Sequence, residues 1–318
     1  MDGLLDPAVL CFALGLLAGL LKADLKLPDA LYESLSVYLL LAIWLKGGVQ
    51  LAKYEFATLL SPIGAAVLLG VVIPILAYVV LRRLGRFGAA DAAAIAAHYG
   101  SVSAVTFAVA QAFLDRTGVS YEPYAVVLLV LMELPAIAIG VLLARTSAAV
   151  ERTPVGKLAH EVCLNKSVVL LMGGMLVGLA SGPERMKALQ PLFGDLFKGA
   201  LTLFLLEMGL VTSRRIADLK KVGPFLIAFG ILMPLFGGVL GAYAGRYAGL
   251  SVGGTTLLAV LTASASYIAA PAAMRIAVPQ ANPTLYLGAS LGVTFPFNVA
   301  AGIPIYLWLA KTAHGVPA

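Results

Sequence analysis

Gly100-Ser101-Val102-Ser103 and Ala263-Ser264-Ala265-Ser266 are near-copies of one pattern, 163 positions apart, each in the middle of a long apolar run. Serine competes for the helical backbone and favours helix ends, so such a cluster inside an apolar run predicts a broken helix. Non-helical backbone at membrane depth is tolerated only where it lines a cavity or is buried in protein. The same small residues also permit close helix packing. Their recurrence at one depth in both halves of the chain favours paired breaks.

The rest of the chain supplies the membrane setting. Of 318 residues, 61% are hydrophobic and only 12% charged, against roughly 25% charged in a soluble domain. The mean hydropathy is +0.97. Ten apolar runs approach the length of a bilayer-crossing helix: 5–21, 31–50, 57–81, 90–114, 122–144, 165–181, 191–212, 222–247, 253–278 and 284–310. The expected fold is an all-α membrane protein of ten transmembrane helices, with helices 4 and 9 broken at the two serine clusters.

Further matches recur at nearly constant offset. Glu33 meets Asp195, Gly47 meets Gly209, and Leu134-Pro135 meets Phe295-Pro296. Five spans per half force the second half to insert upside down, which gives an inverted five-plus-five repeat. The halves are residues 1–146 and 165–318, joined by a linker at 147–164. Fourteen of the 22 Lys and Arg fall in the loops after helices 1, 3, 5, 7 and 9, and six fall on the other side; Lys46 and Lys198 sit at span edges. The bias toward basic cytoplasmic loops places both termini outside and the loop at 145–166 in the cytoplasm. It also accounts for the net charge of +6 without an acidic partner.

In such a repeat the two breaks face each other, and two half-helix N-termini point inward with free N–H groups. Gly100, Ser101, Val102, Ser103, Ala263, Ser264, Ala265 and Ser266 then form a small-anion site. Glu133 lies deep in helix 5, where a carboxylate needs a cation, a proton or a hydrogen-bonded partner. It is read as a Na+ ligand or proton acceptor, the other reading being a structural carboxyl at the Pro135 turn. A hard cation takes oxygen ligands. The candidate Na+ set is Ser103, Thr106, Glu133, Thr262, Thr294 and Asn298, with Thr294 the repeat mate of Glu133. Asp91 is expected to cap the start of helix 4, and Lys46 to snorkel from a helix end. Cys11 and Cys163 offer neither a disulfide framework nor metal spacing. No nucleotide loop, metal cluster or nucleophile triad is present, so no cofactor, nucleic-acid binding or enzymatic role is expected.

The stretches Asp91–Phe107 and Ala263–Ala273, with Leu31-Tyr32-Glu33-Ser34-Leu35-Ser36 and Leu45-Lys46-Gly47-Gly48, closely resemble the cyanobacterial sodium-dependent bicarbonate transporters. The resemblance covers almost the whole chain. It implies Na+-coupled bicarbonate uptake across the plasma membrane, a homotrimer, and an elevator-like arrangement of core and gate. It also implies regulation by a trimeric PII-like protein on the cytoplasmic face. The loop at 145–166 is shorter than the hydrophilic segment joining the halves in the cyanobacterial members. A Na+-coupled carrier of another small anion or carboxylate, or a non-transporting anion receptor, shares the same residue pattern.

Overall fold

The computed structural model describes residues 7–25, 27–145, 166–217 and 219–317. The expected linker at 147–164 lies outside the described residues. The described chain is helical: α1 (Pro7–Leu20), α2 (Asp29–Leu51), α3 (Phe56–Arg83), α4 (Ala89–Gly100), α5 (Ala104–Thr117) and α6 (Ala125–Arg145) form the first half. The second half holds α7 (Lys166–Met186), α8 (Phe197–Ala217), α9 (Leu219–Tyr247), α10 (Val252–Thr262), α11 (Ala269–Ala277) and α12 (Pro283–Ala313).

Each of the ten expected runs carries a helix, the fourth and ninth each split in two. Among the described residues, seven stretches are long and apolar enough to cross a bilayer, and Pro7–Leu20 and Val252–Thr262 are apolar but shorter. Large apolar side chains such as Leu14, Leu176, Leu232 and Phe236 face outward. That is what a hydrocarbon solvent permits and water does not. The stretch Ala89–Thr117 is the opposite extreme, 94% buried over its most apolar window. The broken helix is therefore the centre of the molecule.

Packing sorts the helices into two groups. α1 lies against α8 and α2 against α7; α3 packs on α4 and α6, as α9 packs on α10 and α12. Glycine makes the first group possible. A Cβ on Gly15 of α1 would overlap the Leu206 carbonyl of α8, and one on Gly178 of α7 would overlap the Leu45 carbonyl of α2. In return, Gly209 of α8 abuts the Phe12 carbonyl and Gly48 of α2 the Met175 carbonyl. These are one crossing made twice: Gly15 and Phe12 map onto Gly178 and Met175 by a shift of 163, and Leu45 and Gly48 onto Leu206 and Gly209 by 161. Small residues let membrane helices approach backbone to backbone, where dispersion contacts and not water exclusion hold them. The sequence pairing of Gly47 with Gly209 is thus off by one: Gly48 occupies the equivalent place, while Gly47 faces the Val126 side chain.

Loop contacts join distant parts of the chain at two ends of the fold. The Asn282 N–H donates to Asp91 Oδ1 at 2.7 Å, which joins the start of α4 to the α11–α12 turn. Asp91 therefore does not cap its own helix; Gly88 occupies the N-cap and no side chain bonds there. At the other end the Ser251 N–H donates to the Glu122 carboxylate at 2.6 Å, and Thr255 pairs with His314 at 2.9 Å. The α5–α6 loop, the α9–α10 loop and the C-terminus thus share one face.

Candidate functional site

The first break is short. Ser101 (ψ 157°) and Ser103 (φ −104°, ψ 107°) are extended, and α5 restarts at once. Ser103 makes the restart possible, because its Oγ accepts the Thr106 N–H at 3.1 Å and satisfies one orphan donor of the new helix. The second break runs from Ala263 to Ile268. There the Ser266 Oγ accepts the Ala270 N–H at 3.2 Å.

The two breaks are stitched to each other. The Ser103 N–H donates to Ser264 Oγ at 2.9 Å, and the Ser266 N–H donates to the His98 carbonyl at 2.8 Å. Ser264 Oγ in turn donates to the Leu261 carbonyl at 2.9 Å. Buried polar groups need partners, and here each break supplies the other. The sequence expectation that the two clusters meet is realised in these bonds.

Beside the crossing lies an internal cavity of ≈ 20 Å³, lined by Val102, Ser103 and Ala104 of the first break and Ser266, Tyr267, Ile268 and Ala269 of the second. That is room for about one water-sized body. Leu129 and Glu133 of α6 form another wall, and Leu40 and Trp44 of α2 close it from the first helix group. The N-termini of α5 and α11 both open here, and first-turn N–H groups have no helical acceptor. Glu133 is 6% exposed and its carboxyl makes no hydrogen bond or ion pair among the described residues. Charge buried without a partner is costly, so the carboxyl calls for a cation or a proton from the cavity.

Hydroxyl bookkeeping separates roles within the set. Ser103 Oγ accepts both the Thr106 N–H at 3.1 Å and the Thr106 O–H at 2.9 Å. Both of its lone pairs are engaged, while its own proton is free to donate. Ser103 is therefore suited to an anion. Thr106 gives its proton to Ser103 and, although buried beside it, does not line the cavity.

The remaining expected ligands are placed elsewhere. Thr262 Oγ1 bonds back to the Leu258 and Ala259 carbonyls at 3.0 and 2.9 Å. Thr294 Oγ1 donates to the Gly230 carbonyl and pairs with the Tyr99 hydroxyl, both at 2.7 Å. Asn298 donates to the Ala263 carbonyl at 2.8 Å and accepts from the Tyr306 hydroxyl at 2.7 Å. Thr294 and Asn298 tie separate segments together, Thr262 bonds within its own helix, and none of the three lines the cavity. Ser101, Ala263, Ser264 and Ala265 are buried at the crossing but are also absent from the cavity wall. Among the described residues no group of three His, Cys, Asp or Glu converges on a metal-sized site. Sequence reading missed Trp44, Leu40 and Tyr267. The spacing of Leu40 and Trp44, four apart on one helix face, was the available signal.

Comparison with known protein families matches residues 7–311 to the Na+-dependent bicarbonate transporter superfamily. The chain belongs to that superfamily. The match runs through both helix groups and both breaks, so the paired breaks and the Glu133 cavity sit inside a transporter architecture. A superfamily of membrane carriers accounts for the apolar outer faces, and its members are transporters and not enzymes. Na+ enters here as a coupling ion and not as a resident cofactor. No curated protein matches the chain significantly.

Proposed function

We propose that this member of the superfamily is a secondary symporter that carries bicarbonate with Na+ into the cell across the plasma membrane. In this reading the ten helices form an inverted five-plus-five repeat with both termini outside. The α1, α2, α7 and α8 group is the gate, the remainder is the moving core of an elevator, and the assembly is a homotrimer. The observation that carries the proposal is the meeting of two half-helix N-termini and one unpaired carboxylate in a single buried cavity.

Bicarbonate sits at the N-termini of α5 and α11, where Ser103 and Ser266 offer O–H donors and first-turn N–H groups and helix dipoles favour negative charge. Na+ binds at Glu133. Thr262, Thr294 and Asn298 are needed for the frame and not for the ion. The two ions offset each other's burial cost, which is the physical basis of coupling. Each net positive charge carried inward gains about 2.3 kcal/mol per 100 mV, so an electrically driven cycle carries more than one Na+ per bicarbonate. A PII-like regulator would dock near the linker at 147–164.

The test is ¹⁴C-bicarbonate uptake into proteoliposomes with Na+ or choline outside. The expected result is uptake in Na+ alone, rising with an inside-negative potential. Equal uptake in both buffers would overturn the symport; saturable binding without flux would point to a receptor.

A further inference from the structure

Trp44 stands apart from the other cavity residues. It belongs to α2, in the helix group that packs by glycine contact, whereas the breaks and Glu133 belong to the other group. Its indole is 1% exposed. The Nε1–H is buried with no hydrogen-bond acceptor within reach among the described residues, although a buried indole N–H usually finds one. Its Cβ is held against α7, at the place where Gly174 has no side chain. The ring is thus fixed from behind and forms a wall of the cavity in front.

The donors around the cavity make a consistent set. Ser103 and Ser266 each accept a bond from their own half-helix and retain a proton. The Tyr267 hydroxyl is buried beside Ser103 without reaching hydrogen-bond geometry. An indole N–H is a donor that can never accept. It cannot coordinate a cation, but it can bond an anion oxygen.

We propose that Trp44 is the gate-side contact of the anion: its Nε1–H donates to an oxygen of the bound oxyanion, and its ring limits the site to small anions. A donor-only group on a residue that lines a carboxylate-containing cavity also sorts the charges, holding the anion on the α2 side and leaving the Na+ to Glu133. When the core moves relative to α2 this bond is broken, so it holds the anion in only part of the cycle. The inference rests on the bicarbonate symport reading and assigns that site a specificity-determining residue.

The chain has two tryptophans, and Trp308 is 52% exposed on the outer face. A Trp308→Phe protein therefore reports Trp44 emission alone. Titration with bicarbonate at fixed pH against equimolar chloride, in Na+, is expected to shift or quench that emission in a saturable way. Trp44→Phe keeps the ring and removes the donor; it is expected to raise the bicarbonate KM roughly tenfold with kcat within about twofold, the size of one net hydrogen bond. Trp44→Ala opens the wall, and acetate is expected to become a competitor of uptake.

A wild-type KM in Trp44→Phe, with acetate still excluded by Trp44→Ala, overturns the proposal while leaving symport intact. If either variant fails to fold, the Trp308→Phe titration decides: silent emission in a protein that still takes up bicarbonate overturns the contact. If wild type takes up no bicarbonate, the functional reading fails by itself. Trp44 emission that still responds to bicarbonate with Na+ then upholds the contact, and emission that does not respond overturns it.

Discussion

α6 and α12 occupy matching positions in the two halves of the sequence, and they differ in how they use them. Both carry a proline at matching positions, Pro135 and Pro296, and each sits beside a break. In α6 the polar residue before the proline is Glu133, which faces the cavity with an unpaired carboxyl. In α12 the corresponding Thr294 is bonded on two sides, and Asn298, one turn on, is bonded on two more. The backbone differs accordingly. α6 stays α-helical past its proline, whereas α12 is wound into π turns over Gly288–Thr294 and Asn298–Gly302. π turns swing side chains off the regular helical stripe, and here they turn Thr294 toward α9 and Asn298 toward the second break. The comparison teaches that sequence symmetry places polar residues at equal depth without giving them equal work. One half leaves its carboxyl without a hydrogen bond among the described residues, and the other ties its polar groups into hydrogen bonds.

The comparison can be broken most severely at Glu133. Glu133→Gln keeps shape and removes charge; Na+-dependent uptake is expected to fall by roughly 100-fold or more, the scale of a lost buried charge pair. Normal gel-filtration behaviour would show that folding is intact, and uptake near wild type would remove the carboxyl from the ion path. Ser103→Ala removes a donor and the cap of α5, and is expected to raise the bicarbonate KM by about 10- to 30-fold, since one hydrogen bond and one helix cap are lost together. An unchanged bicarbonate KM would detach the first break from the anion.

The α12 side should respond in stability instead. Asn298→Ala strands the Tyr306 hydroxyl and the Ala263 carbonyl. It is expected to cost about 2–3 kcal/mol, seen as a lowered unfolding midpoint in detergent. Uptake per folded molecule should stay within about threefold. A tenfold rise in the Na+ KM would instead return Asn298 to the ion site. Thr294→Val should do least, about 1–2 kcal/mol of stability, with Na+ dependence unaltered.

Much of the architecture was legible in the sequence because hydrocarbon leaves few options. Runs of apolar residues give the helices, and two serine clusters at matched depth give the breaks and their meeting. The reading failed where tertiary contacts outrank pattern. Thr262, Thr294 and Asn298 have the right chemistry for cation ligands, yet Thr262 bonds back to its own helix, and Thr294 and Asn298 are consumed by bonds to other segments that only the packed structure reveals. Asp91 sits in the first turn of its helix like a cap, but bonds the Asn282 N–H across the fold. Gly48, not Gly47, carries the close approach, because one residue on a helix is a rotation of about 100°. Trp44 escaped notice because in sequence it is one more large apolar residue in a run. Only its position opposite the breaks makes its N–H significant.

The central claim is that anion and Na+ occupy one cavity and stabilise each other there through Glu133. Calorimetric titration of purified protein with bicarbonate, in Na+ and then in choline, tests it most directly when repeated on Glu133→Gln. Bicarbonate is expected to bind wild type at least tenfold more tightly in Na+ than in choline, a coupling of about 1.4 kcal/mol, and that difference is expected to vanish in Glu133→Gln. Equal affinity in both salts for wild type, or full Na+ enhancement surviving in Glu133→Gln, would contradict it.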